Sequence, residues 1–371
     1  MSALLLSLLA AALGARGVVY DDANANGRRD RAERGLARVV VTDGIGLALT
    51  EADGAYALPP STARRVFVVV PGDRRAVGPW HRPPSEAADF ALARDPAPAV
   101  WRFAHLSDTH VHEGNAPRLR AALALAAARA RLAVVSGDLI KDALRVGEHA
   151  ARAQYALYAE AVAGAGLEVR SAPGNHEVFG IERAESGVSA DHPLYGKGMY
   201  EEVLGPRYYS FNRGRLHFIV LDTVGVDDQW YYGFLDADQL AWIRRDLEHV
   251  PPGASVVTLG HIPLRNGALS REFAAEGPAR TVMAVGGAPG FRHLVRNAGE
   301  LAALLRPFDW TLALQGHTHM GERLRFEDGT PTRFHTAPAV DGQPWAPWPT
   351  GIVVYTVRGS TVDDGRFFRT E

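Results

Sequence analysis

The chain contains no cysteine, which removes disulfides, thiolate metal sites and a thiol nucleophile together. Any metal binding must therefore fall to its 14 histidines and its carboxylates. An excess of basic charge is missing too: 40 Lys and Arg against 42 Asp and Glu leave a formal charge of −2. That balance offers no electrostatic footprint for DNA or RNA, so a nucleic-acid partner is disfavoured. No apolar run reaches the length of a bilayer span. The nearest is Ala3 to Leu13, of the length of a secretory h-region, with small residues at Ala12 and Gly14 suiting a cleavage site. Its flank lacks Lys and Arg. Residues 1–16 are accordingly expected to be a signal peptide, and the protein periplasmic or extracellular, where disulfides are permitted but not required.

What is present divides into two patterns, as a length of 371 residues leads one to expect. Residues 17–95 carry short β-branched or aromatic runs, at Val18 to Tyr20, Val39 to Val41, Ala55 to Leu58 and Val66 to Val70, separated by turns such as Asp43-Gly44 and Asp53-Gly54. This spacing predicts a small all-β sandwich. A linker, Arg94-Asp95-Pro96-Ala97-Pro98, then leads into residues 99–371. There the sequence predicts strands at Trp101 to Ser107, Leu132 to Ser136, Glu168 to Ala172, His217 to Leu221, Ser255 to Leu259 and Trp310 to Gln315. Helices are expected at Ala116 to Arg131, Glu148 to Ala163, Ala237 to His249 and Ala298 to Arg306. Such alternation indicates a layered α/β fold.

Five short motifs each follow one of these strands: Asp108-Thr109-His110, Gly137-Asp138, Gly174-Asn175-His176-Glu177, Gly260-His261 and Gly316-His317-Thr318-His319. Any one alone carries no weight. Their order and spacing together resemble the calcineurin-like metallophosphoesterases over about Val100 to Phe326. The resemblance implies a four-layer α/β/β/α sandwich, here preceded by the small sandwich domain. It further implies that Asp108, His110, Asp138 and His319 hold a first metal, and that Asp138 bridges to a second completed by Asn175, His261 and His317. One carboxylate can serve two cations roughly 3.5–4 Å apart, with a hydroxide between them as nucleophile. Nitrogen and oxygen donors suit Mn, Fe, Zn or Ni. His176 resembles the family's catalytic histidine, and Glu177 is expected to orient it. Purple acid phosphatases have a tyrosine three residues beyond the Gly-Asp aspartate; Lys141 stands there, which excludes that branch.

His112 follows His110 by two residues and reads as a substrate contact or an ordinary loop histidine, His105 reads as a packed strand residue, and His217, His249, His293 and His335 lack motif context and read as structural. Two insertions, Val178 to Pro206 and Arg265 to Asn297, are of a length that is functional when ordered. They carry Arg183, His192, Tyr195 and Lys197, then Asn266, Arg280 and the Gly286-Gly287 turn. The run Trp345-Ala346-Pro347-Trp348 forms either a rim over the site or packing for the last strands.

A separate signal lies in the small domain. Asp22, Asn24, Asn26, Arg28 (through its carbonyl), Asp30 and Glu33 occupy the ligand positions of a 12-residue calcium loop, with Gly27 at the turn. The flanks are strand-like, and the segment resembles calcium loops of bacterial surface adhesins. The expected function is an exported hydrolase of phosphate mono- or diesters. Alternatives are a nuclease, which the charge balance opposes, and a non-catalytic surface binding protein with a calcium-stabilised sandwich.

Overall fold

The computed structural model describes residues 14–85, 87–267, 282–326, 329, 331–342 and 348–370. Most of the expected signal peptide, Arg280 and Trp345-Ala346-Pro347 lie outside them. Two compact units are formed. The first comprises the chain up to Pro98 together with Tyr208–Ile219 and Ala237–Ala254; the second holds Ala99–Arg207, Val220–Asp236 and Ser255–Glu371.

In the first unit, strands Ala55–Ala57, Arg16–Asp21, Phe90–Arg94 and Arg74–Ala76 form one sheet in that order. Leu47–Leu49, Val40–Thr42, Val66–Val68 and His81–Arg82 form the other. Only the Arg16–Asp21 and Phe90–Arg94 pair is parallel among the paired strands of these sheets. Alternation explains the core: Val19, Val41, Tyr56, Val66, Val68, Phe90 and Leu92 point inward together. Phe67 faces the other way and is still fully buried, because the rings of Tyr209 and Trp242 cover it at 6.4 and 6.1 Å. The Trp242 indole N–H donates to Thr42 Oγ1 at 3.2 Å. Thus a later strand and the helix Ala237–Leu247 close the second face of this unit.

The second unit contains two mixed sheets. Glu168–Ala172, Leu132–Ser136 and Val100–Leu106 run parallel, followed by antiparallel Gly351–Arg358. Ser255–Leu259, Asp309–Gln315 and Arg333–Thr336 run parallel in the other sheet, edged by antiparallel Glu322–Leu324. Helices Ala116–Ala127 and Glu148–Ala163 cover the first sheet, with Leu119, Leu123, Tyr155 and Tyr158 packed against Leu106, Ala133, Val135 and Val354. This is the expected layered α/β architecture, preceded by the all-β region. The parallel strands matter most for function, since loops leaving their carboxyl ends converge on one edge.

Candidate metal centre

All five motifs occupy such loops. Asp108 and His110 follow Val100–Leu106, Asp138 follows Leu132–Ser136, and Asn175 to Glu177 follow Glu168–Ala172. His261 follows Ser255–Leu259, and His317 and His319 follow Asp309–Gln315. The turns are tight enough to force unusual backbone. Of eight non-glycine residues with positive φ among those described, five are Asp108, His110, Asp138, His317 and His319. L-residues avoid this left-handed region at a cost of about 1–2 kcal/mol each, and such strain gathers where side chains must be aimed.

The side chains converge accordingly. Asp108, His110, Asp138 and His319 bring ligand atoms within 4.8 Å of one another, and so do Asp138, His261 and His317. Asp138 belongs to both groups. Its Oδ2 is 3.1 Å from His261 Nε2 and 3.7 Å from His110 Nε2. His319 Nε2 lies 3.1 Å from Asp108 Oδ1 and 3.2 Å from His110 Nε2. Asn175 Oδ1 and His317 Nδ1 both approach His261 Nε2 at 3.1 Å. The His261 Nδ1–H donates to the Ser136 carbonyl at 2.7 Å, which turns its Nε2 lone pair inward. Carboxylate, amide-oxygen and imidazole lone pairs therefore face one another, an arrangement that fits cations between them.

The charges respond to this crowding. Burial pushes Asp108 and Asp138 towards neutrality, but His319 and His261 outweigh it and hold both well below the usual carboxylate range. The aspartates in turn raise these two histidines against burial, His261 to about 9, so a cation would take the place of their Nε2 protons. For His110, burial dominates over the two aspartates and lowers the pKa to about 4.

His176 is partly exposed. Its backbone N–H donates to Asp138 Oδ1 at 3.0 Å, its Nε2 is 3.9 Å from Asp138 Oδ2, and its Nδ1–H donates to the Lys141 carbonyl. The expectation that Glu177 orients His176 needs correction. Glu177 is buried, and its carboxylate accepts instead from the amides of Leu139, Ile140 and Gly174 at 2.8, 3.0 and 2.6 Å. Burial, reinforced by Asp138, raises its pKa to about 8. It ties the Asp138 loop to the Asn175 loop.

His293, which had no motif context, joins the site: its Nδ1 is 2.7 Å from His317 Nε2. Burial, with Arg292 beside it, lowers the His293 pKa to about 4, so a neutral ring accepts the His317 N–H. Nothing in the local sequence marks this contact. The other histidines are elsewhere engaged: His105 with Ser136, His217 with Asn212 and Asp246, His335 with Tyr355, and His112 with the Gly114 amide. Within the first insertion, Arg183 pairs with Asp228, His192 with Glu148 and Lys197 with buried Asp222. The Lys141 side chain is exposed. In the small unit, Asp22 Oδ1 and Oδ2 accept from the amides of Asn26 and Gly27, Glu33 accepts from those of Ala23 and Asp30, and the Asn24 and Asn26 side chains donate to Asp30.

Residues 23–78 match the family model described as the N terminal of calcineurin-like phosphoesterase, and residues 102–321 match that of calcineurin-like phosphoesterase itself. Among solved structures, a purple acid phosphatase from yellow lupin (Lupinus luteus) seeds is similar at 14% identity and a TM-score of 0.50, over 96% of this chain and 68% of that one. A dimetal phosphatase from Danio rerio is similar at 16% identity and a TM-score of 0.48, over 75% of this chain and 100% of that one. At 14% identity the likeness to the lupin protein is one of fold alone. A search of curated proteins finds no match.

Proposed function

Because this chain belongs to the calcineurin-like phosphoesterase family, we propose that it is an exported hydrolase of phosphate mono- or diesters with a dinuclear metal centre. The observation that carries the reading is the membership of Asp138 in both donor groups. In this reading Asp108, His110, Asp138 and His319 hold one ion, and Asp138, Asn175, His261 and His317 the other. The donor set favours Mn, Fe, Zn or Ni. When bound, the pair supplies Lewis acidity towards phosphoryl oxygens and lowers the pKa of water.

The protein's own groups do the positioning and proton transfer. Ser136 holds the His261 ring and His293 holds the His317 ring, each by the nitrogen turned away from the cluster. His176 is anchored through Nδ1 on Lys141, which leaves Nε2 on the Asp138 side. There it serves as the acid that protonates the leaving oxygen. Glu177 acts at one remove, by fixing the amides around Asp138 and Asn175.

Export is supported by the apolar N-terminus, and no helix among the described residues is long and apolar enough to cross a membrane. Calcium binding to the Asp22 to Glu33 loop is supported by the spacing of its oxygen-bearing residues. The test of the catalytic reading is the full chain loaded with each metal in turn and assayed on aryl phosphate mono- and diesters. His176→Ala should retain the metals and lower kcat by about 10²–10⁴-fold. Full activity in that variant removes its assigned role, and absence of turnover by the unaltered protein with every metal removes the hydrolase reading.

A further inference from the structure

Against the Tyr231 ring stands a guanidinium, that of Arg292, with no carboxylate partner among the described residues. Strands Val224–Asp227 and Trp230–Gly233 form a hairpin, and Val282–Val285 and Ala288–Phe291 form another, turned by Gly286 and Gly287 at φ 53° and 79°. The two are joined at Gly233 and Val295, while the Val295 amide bonds to the Pro263 carbonyl near His261. This fixes Arg292 against the first hairpin. Its guanidinium carbon lies 4.6 Å from the Tyr231 ring centroid and 5.2 Å from that of Trp230, within the range of cation–π attraction. The Tyr231 ring in turn sits 6.2 Å from the His317 ring, and its phenol feels the charges of both Arg292 and Asp138.

Two other guanidinium groups of this unit are paired with carboxylates. Arg145 bonds Asp142 and Glu182, and Arg183 bonds Asp228. Arg292 differs: its buried Nε has no hydrogen-bond partner, and it pairs with no carboxylate among the described residues. Leaving a buried donor of a charged group without an acceptor is costly, and a planar guanidinium held against aromatic rings can offer its remaining donors to an oxyanion.

We propose that Arg292 is a specificity-determining residue that grips a second oxyanion of the substrate, phosphoryl or carboxylate, distinct from the phosphoryl group cleaved at the metal centre. This rests on the hydrolase reading above and narrows it to substrates carrying two anionic groups. Trp230 and Tyr231 are positioning residues for the guanidinium.

The test is isothermal titration of the metal-loaded full chain with orthophosphate, pyrophosphate and phosphoglycolate, in the unaltered protein, Arg292→Gln and Arg292→Lys. Arg292→Gln should weaken a two-anion ligand at least about 10-fold more than orthophosphate, the loss expected for a hydrogen bond to a charged group. Arg292→Lys should fall between, because it keeps charge without the planar fork. A selective loss for pyrophosphate identifies a phosphoryl group as the second anion, and a selective loss for phosphoglycolate identifies a carboxylate. Equal weakening of all three ligands, or of none, overturns the proposal. Binding is read without turnover, so a failed hydrolase reading shows itself separately, as absent ester cleavage by the unaltered protein.

Discussion

At the scale of single residues, the site depends on backbone that only some side chains tolerate. Gly137 has φ +82°, and a Cβ there would stand 2.6 Å from the His261 Cβ. Gly137→Ala therefore meets both left-handed strain and a collision with a proposed ligand. The variant should lose about 1–3 kcal/mol in urea unfolding and bind less of the metal assigned to His261. A stable variant with full metal content would show that the loop relaxes freely. The residues that converge around Asp138 were legible in sequence because carboxylate, amide and imidazole types recur in one order after successive strands. Glu177 was misread because the amides it accepts from, Leu139 and Ile140, lie far away in sequence. His293 and Arg292 were invisible for the same reason, since His317 and the rings of Trp230 and Tyr231 come from other parts of the chain.

At the scale of elements, agreement follows from how local the signal is. Leu132–Ser136, Glu168–Ala172 and Ser255–Leu259 match their expected bounds; for the first and last of these, short apolar runs between breakers identify buried strands. The hairpin Val224–Gly233 escaped notice; Asp227, Asp228 and Trp230 give no two-residue alternation, and its pairing is completed by the Val295 contact. In the loop from Asp22 to Glu33, where the spacing predicts a calcium site, backbone amides are held by the loop's own carboxylates. If it binds calcium, ligation stabilises the native chain by mass action, about 2.7 kcal/mol at 100 times the dissociation constant. Adding calcium to the full chain should therefore raise the melting temperature, and Asp22→Asn should abolish that increment. An unchanged melting temperature in the unaltered protein counts against the loop.

At the scale of the whole molecule, long-range aromatic packing decides what a linear reading misses. The first unit takes in the chain up to Pro98 together with Tyr208–Ile219 and Ala237–Ala254, two segments that a division at the linker would assign to the larger domain. Phe67, Trp80, Tyr209 and Trp242 meet there from distant parts of the chain. Global stability should also carry a proton linkage remote from the metal centre. His335, on the strand Arg333–Thr336, is buried with Nδ1 3.0 Å from the Tyr355 hydroxyl. Burial, aided by Arg333 and Arg323, lowers its pKa from 6.5 to about 4. The folded state thus binds fewer protons than the unfolded state in this window. Its contribution is complete above the unfolded pKa of about 6.5 and is lost as pH falls towards 4, with a slope of at most about 1.4 kcal/mol per pH unit. His335→Gln should flatten the fall in unfolding free energy between about pH 7 and pH 5 by up to one proton, measured by urea titration. Carboxylates and metal ligands titrate in both proteins, so the difference isolates this imidazole. Equal slopes would mean that His335 is protonated in the fold as readily as in the unfolded chain, and that the Tyr355 contact does not hold it neutral.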